Sequence, residues 1–190
     1  MILIAGLGNP EKEYGTTRHN AGFMAINQLS HTHGIDITKT KFRAELGSGK
    51  IADEKVVLLK PQTYMNLSGE SIRECMEYYK LSPSELIVLF DDCDLDIGAV
   101  RVRKTGSGGG HNGMKNIIYQ LETMDFTRVR IGIGKKPPRY VLADYVLGRF
   151  AEEEREGIIQ GIETAASAVS DIIARGADYA MNHYNKTNSR

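Results

Sequence analysis

Three short segments of the 190-residue chain carry side chains that can cleave a bond with water. The first is Asn9-Pro10, followed by Tyr14, Arg18, His19 and Asn20. The second is Tyr64-Met65-Asn66-Leu67-Ser68-Gly69, and the third joins Asp91 to Gly108-Gly109-Gly110-His111-Asn112-Gly113. An uncharged imidazole takes a proton from water, and a carboxylate behind it fixes the tautomer and steadies the imidazolium that forms. Asparagine amides add neutral donors for a developing oxyanion without competing for the proton. One or two histidines, an aspartate and several asparagines brought to one place are the equipment of a hydrolase that uses neither metal nor organic cofactor. Each residue also has a plain structural use. A histidine in a polar loop can simply be solvated, His111 can cap the helix beginning near Asn112, and Asn9 before a proline is a turn former. Asn66 and Asn112 can serve as helix caps, Tyr64 and Met65 can pack in the core or its rim, and Gly108–Gly110 can permit positive φ in a tight turn.

Other chemistries fit less well. GLGNPE (6–11) begins like a dinucleotide-binding fingerprint, but the third glycine position is Glu11, which would crowd the helix–strand contact and repel a pyrophosphate. GSGK (47–50) resembles the tail of a phosphate loop, yet Ile51 stands where Ser or Thr is needed and Ala44 where a glycine is needed. No G-x-S-x-G is present, so a serine nucleophile elbow is absent. The aspartates at 91, 92, 94 and 96 could hold Mg²⁺ or could be a turn at a strand end. Cys75 and Cys93 lie far apart, which supports neither a disulfide framework nor a zinc site and fits a reducing cytoplasm.

The charges balance, 24 basic against 24 acidic, but not evenly along the chain. Residues 101–139 hold nine Lys and Arg against Glu122 and Asp125, while both flanks are net negative. A basic stretch around a glycine loop suits a polyanion such as a phosphodiester backbone; a solvated Lys/Arg-rich surface is the plainer alternative. With 41% apolar and 25% charged residues the chain is neither disordered nor fibrous, and its longest clean apolar run, Leu86 to Phe90, is far too short to span a bilayer. Met1 to Gly8 lacks a basic leader and reads as a first buried strand.

Elements that would position these clusters can be placed from periodicity. ILIAG (2–6), KVVLLK (55–60) and ELIVLF (85–90) are short apolar runs expected as buried strands, and RVRIGIG (128–134) is a further strand. AVRVR (99–103) alternates with period two, as a half-exposed strand does, and is a candidate for an antiparallel partner. Helical spacing marks about 20–34, 68–81, 114–121 and 152–175, with Gly34 and Gly176 as stops. Strands alternating with helices imply a single domain over 1–190, a three-layer α/β/α sandwich with a twisted, mostly parallel mixed sheet. All three clusters then fall at C-terminal ends of strands or at helix starts, where ligands bind in an open α/β sheet.

GLGNPEKEYGTTRHNAGF (6–23), PQTYMNLSG (61–69), DDCDL (91–95), GGGHNGMKNII (108–118) and RVRIGIG (128–134) resemble, in order and spacing, the signature segments of bacterial peptidyl-tRNA hydrolase. The resemblance runs from Ile2 to about Phe150 and is weakest in the C-terminal helices. It implies a monomeric, cytoplasmic, cofactor-free enzyme that cleaves the ester joining an N-blocked peptide or aminoacyl group to the 3′ end of tRNA. By position, His19 is expected as the general base, Asp91 as its support, and Asn112 as the group that orients water or carbonyl and steadies the tetrahedral intermediate. Asn9 and Asn66 are expected on the peptide side, with Asn9 helping to reject aminoacyl-tRNA whose amine is free. Tyr14 and Tyr64, with Met65, are expected to line the cleft, and Arg103 and Arg130 to clamp the tRNA 5′-phosphate beside the acceptor stem. Two other classes stand beside this one: a non-catalytic RNA-binding protein on the same scaffold, and a Mg²⁺-dependent phosphodiesterase using the aspartate run.

Overall fold

The structure, a computed structural model, describes residues 1–186. Seven strands form one sheet: β1 (Ile2–Gly6), β2 (Lys39–Lys41), β3 (Ala44–Ile51), β4 (Glu54–Pro61), β5 (Leu86–Asp92), β6 (Val100–Arg103) and β7 (Thr127–Gly132). Their order is β2-β3-β4-β1-β5-β7-β6. β1 pairs in parallel with β4 and β5, and β5 with β7, whereas β2–β3, β3–β4 and β6–β7 are antiparallel. Five strands therefore share one direction and the alternating strand β6 runs against them, as its period-two pattern suggested.

Six helices cover the sheet: α1 (Ala21–His33), α2 (Ser68–Tyr79), α3 (Asn112–Leu121), α4 (Leu142–Val146), α5 (Arg155–Arg175) and α6 (Ala177–Tyr184). Successive side chains of a strand point to opposite faces, so each central strand feeds two cores. Ile4, Leu58, Ile87, Leu89, Val129 and Ile131 pack with α1, α5 and α6. Leu3, Ala5, Val57, Leu59, Val88 and Phe90 pack with Ile72, Cys75 and Met76 of α2 and with Met114 and Ile117 of α3. All seven residues of β5 are buried, which is why this strand reads as an unbroken apolar run: neither face meets water. Burial at this depth contributes about 1.5–3 kcal/mol per large aliphatic side chain.

Where α1 crosses the sheet, side chains are dispensed with. A Cβ on Gly6 would stand 2.2 Å from the Gly22 carbonyl oxygen, and one on Gly22 would stand 2.4 Å from the Leu7 nitrogen. The helix thus lies almost on the backbone of β1, and the turn just before it, residues 18–20, is brought over the end of β5.

The sequence pattern left 35–54 without strands, and the hairpin β2–β3 occupies that stretch. Gly47 and Gly49 break the alternation because Ile35 and Asp36 cross over them: a Cβ on Gly47 would meet the Asp36 carbonyl oxygen at 2.3 Å, and one on Gly49 the Ile35 side chain at 2.6 Å. The GSGK segment is therefore a covered strand, unrelated to a phosphate loop. The acidic run also differs from a simple turn. Asp91 and Asp92 are the last residues of β5, in register with Ile131 and Gly132 of β7. Two helices were not foreseen, the five-residue α4 and the terminal α6, which restarts directly after Gly176 turns the chain at φ 91°. Beyond α6, Asn185 lies along the outer edge of β6: its Oδ1 accepts from the Val102 N–H at 2.7 Å and its Nδ2 donates to the Val102 carbonyl at 2.8 Å. Among the described residues no helix is long and apolar enough to cross a membrane.

Candidate active site

The C-terminal ends of β1, β4, β5 and β7 open into one cleft of about 970 Å³. Its centre is the Asp91 carboxylate, 2% exposed at the end of β5. His19, on the turn that leads into α1, directs Nδ1 at both carboxylate oxygens, at 2.8 and 2.9 Å. His111, the N-cap of α3, approaches Oδ1 with Nε2 at 2.9 Å. The two rings stand 4.9 Å apart between centroids, and Phe90 packs edge-on against the second.

The protons in this cluster follow from the hydrogen bonds. Nδ1 of His111 accepts the Met114 N–H at 3.2 Å, so in the neutral ring the proton sits on Nε2 and is donated to Asp91. Burial alone would raise the Asp91 pKa, but the facing imidazoles, His111 and then His19, outweigh it and hold the carboxyl at about 2. An ionised acceptor fixes the proton of neutral His19 on Nδ1, which leaves its Nε2 lone pair as the basic site. His111 is thus both the helix cap that a plain reading allowed and a second imidazole on the carboxylate. His19, Asp91 and His111 are the group among the described residues whose donor atoms crowd closely enough to suggest a metal, all within 4.8 Å. Their hydrogen-bond order argues otherwise: for Nε2 of His111 to ligate, the Met114 contact would have to be given up. The other aspartates do not converge. Asp92 accepts from Arg130 Nε at 2.5 Å and from the Asp94 N–H at 2.8 Å, while Asp96 pairs with Lys135 at 3.4 Å.

Around this centre the expected residues assemble unequally. Asn9, Met65 and Asn66 line the cleft with Tyr64, Asn112, Arg103 and Arg130. Asn9 Oδ1 accepts the Met65 N–H at 2.8 Å, tying the loop after β1 to the loop after β4. Tyr64 bridges the same two loops through its hydroxyl, which donates to the Glu11 carboxylate, and that bond raises the phenol pKa. Both residues hold positive φ, 60° at Glu11 and 61° at Tyr64, a strained conformation of the kind that collects at functional sites. Tyr14 is the exception among the expected lining residues. It sits on the one-turn helix 12–14, and the cleft wall does not include it.

Arg18 is one of two arginines here whose weight composition and spacing did not reveal. It is 8% exposed, donates to the Ile133 carbonyl at 2.8 Å and forks onto Glu154 at 3.3 and 2.6 Å. Its guanidinium lies 4.6 Å from the ring centroid of Tyr145 and 4.9 Å from that of Phe150. The residue before His19 therefore anchors the turn to β7, to α4 and to the start of α5. Removing one partner of such a buried pair costs roughly 3–5 kcal/mol. Arg128, the other, supports the glycine loop from beneath: 2% exposed, it donates to the carbonyls of Gly106 at 2.7 Å and Met124 at 2.7 Å. Burial, then the neighbouring Arg130, lower its pKa to about 10. Arg103, by contrast, is exposed, and Arg130 keeps 30% of its side chain in solvent.

A sequence profile described as peptidyl-tRNA hydrolase matches residues 3–190. The peptidyl-tRNA hydrolase of Caldanaerobacter subterraneus subsp. tengcongensis is 52% identical over 185 residues, covering 97% of this chain and all of the relative. That of Lachnoclostridium phytofermentans is 50% identical over 186 residues, 98% of this chain and 97% of the relative. Among solved structures, peptidyl-tRNA hydrolase from Acinetobacter baumannii superposes with a TM-score of 0.91 at 36% identity, covering 97% of this chain and 94% of that one.

Proposed function

The chain belongs to the peptidyl-tRNA hydrolase family, and on that premise we propose that it hydrolyses the ester between a peptide and the 3′-terminal ribose of tRNA with His19 as general base. The observation that carries this is the paired imidazole arrangement on Asp91. His111 and His19 both donate to one ionised carboxylate, which leaves His19 Nε2 as the basic atom of the set. A water molecule at Nε2 gives up a proton as its oxygen attacks the ester carbonyl carbon. The imidazolium formed is stabilised by Asp91, and the Asn112 amide donates to the developing oxyanion. Collapse breaks the bond to the ribose oxygen, which takes the proton from His19. The peptide departs as a carboxylic acid that ionises in solvent, and the tRNA departs with its hydroxyl restored. A base of this kind contributes about 10²–10⁴-fold, enough for an ester without a metal ion.

Substrate placement divides along the cleft. Asn9 and Asn66 hold the peptide side, with Tyr64 and Met65 beside them. Arg103 and Arg130 hold the 5′-phosphate next to the acceptor stem, and phosphate contacts of this type position tRNA without reading its sequence. The basic stretch 101–139 supports this end. The cleft is complete within one chain, in keeping with a monomer, and a translation-linked substrate supports a cytoplasmic location. A non-catalytic RNA binder has no use for two imidazoles held on one buried carboxylate.

The test is hydrolysis of N-acetyl-aminoacyl-tRNA and of the unblocked form, with and without a strong chelator. The blocked substrate is cleaved, the unblocked one is spared, and the chelator changes neither result. His19→Ala loses about 10²–10⁴-fold in kcat while still folding cooperatively; a variant that kept most of its turnover would remove His19 from the base role.

A further inference from the structure

We infer that Asn20 is a positioning residue that sets substrate choice, because it and the Met65 N–H hold the Asn9 side chain with its amide NH₂ toward the cleft. The inference rests on the esterase reading above. Asn20 is 1% exposed and spends its whole amide on one residue: Oδ1 accepts the Asn9 N–H at 2.9 Å, and Nδ2 donates to the Asn9 carbonyl at 3.0 Å. The polarity of that pairing is forced, since a backbone N–H meets only an acceptor and a carbonyl only a donor. Residue 9 is held as a neighbouring strand would hold it, and its side chain is delivered to the Met65 N–H, which donates to Oδ1 at 2.8 Å in a buried contact. Turning the Asn9 amide over would set its NH₂ against that N–H, two donors face to face. The Oδ1 is thereby turned toward the Met65 N–H, and the NH₂ of Nδ2 is the part of the amide left to donate into the cleft that Asn9 lines.

An amide NH₂ presented at this position distinguishes the two classes of substrate by elementary pairing. A blocked substrate carries an acyl carbonyl on its α-nitrogen, an acceptor that Nδ2 satisfies. A free aminoacyl ester carries an ammonium group, three donors and no acceptor. Brought against Nδ2 it surrenders water without replacement, and an unpaired desolvated cation is among the costliest groups to place. Sites that offer a hydrogen bond to one substrate discriminate strongly against an analogue that cannot complete it. Selectivity thus depends on an amide that never reaches the substrate: with the lock released, Asn9 can turn and present Oδ1, to which an ammonium can donate.

Two isosteric variants test this, each measured as the ratio of kcat/KM for N-acetyl-aminoacyl-tRNA to that for unblocked aminoacyl-tRNA. Asn20→Asp keeps an acceptor for the Asn9 N–H but sets a carboxylate oxygen against the Asn9 carbonyl. Asn9→Asp keeps the bond from Met65 and turns the cleft-facing donor into an anionic acceptor. The ratio is expected to fall by at least about tenfold in both, and the double variant to fall no further than Asn9→Asp alone. Parallel loss on both substrates with an unchanged ratio in folded Asn20→Asp, checked by thermal melting, overturns the inference, because a merely structural residue would act that way. Should Asn20→Asp fail to fold, Asn9→Asp decides, and an unchanged ratio there overturns it too. Failure of the unaltered protein to cleave the blocked substrate would instead sink the esterase reading beneath it.

Discussion

At the end of the cleft where β1, β4 and β5 finish, the polar side chains are held from behind by buried partners. Asn20 and the Met65 N–H fix Asn9, Asp91 fixes two histidines, and a backbone N–H fixes the tautomer of one of them. At the other end, where Arg103 closes β6 and Arg130 projects from the antiparallel β7, Arg103 is exposed and Arg130 is guided by a single carboxylate while still reaching solvent. The two ends answer different demands. Bond cleavage rewards placement to a fraction of an ångström, and the entropy of ordering those groups is met during folding. Holding a phosphate, the role proposed for these arginines, rewards charge and reach, which a partly exposed guanidinium supplies. On that reading, buried hydrogen bonding collects where the bond is cleaved, and solvent-facing charge where the large substrate is kept in place.

Experiments can press on that contrast. The largest effect is expected from Asp91→Asn, which removes the charge that stabilises the imidazolium and loses its hold on the His19 tautomer. kcat should drop by about 10⁴-fold, comparable to the loss of a buried aspartate behind a catalytic histidine elsewhere, and a drop of only a few-fold would mean the locked end is not what drives the chemistry. Acid titration of stability gives the next. The folded Asp91 carboxyl is held at about 2 against an ordinary value of 3.8, so its contribution is fully present above about pH 4 and is lost as pH falls toward 2. That contribution is worth roughly 2 kcal/mol, and acid denaturation curves of Asp91→Asn should lose the corresponding slope. The smallest effect is expected at the open end. Arg130→Ala should raise KM for full-length tRNA by about tenfold or less and flatten its salt dependence. The same variant should leave a minimal substrate without a 5′-phosphate untouched, and an equal loss on that substrate would show that the arginine reaches into the chemical end.

The same division governs what the sequence made legible. β1, β4 and β5 are legible because their central residues are buried on both faces and form unbroken apolar runs, and His19, Asp91 and Asn9 are legible because they fall in clusters at strand ends and helix starts that match the family's signature segments. Segments whose pattern answers to tertiary contacts were silent. The β2–β3 hairpin carries glycines demanded by Ile35 and Asp36 crossing it, so its alternation is broken in the very positions that would announce a strand. α4 is too short to show a period, and α6 begins straight after a glycine that reads as an ending. His111 looked like a cap or a solvated ring, and only the placement of α3 beside β5 makes it both a cap and a partner of Asp91. Tyr14 sits on the one-turn helix 12–14, outside the cleft wall that holds Tyr64. Arg18 and Arg128 lay in view as charges, yet their work is to hold carbonyls and rings together beneath the surface.

The amide of Asn185 lying along β6 has a bearing on the protein's behaviour among other molecules. An outermost strand with unpaired backbone groups is a template onto which foreign chains can add, the first step toward fibres or exchanged dimers. Here Val102 already has both of its outward groups taken by one side chain, and the opposite border of the sheet ends in the three exposed residues Lys39–Lys41, two of them lysines. Strand addition at either border is thereby opposed, at β6 by a side chain already in the place of a neighbour and at β2 by exposed charge.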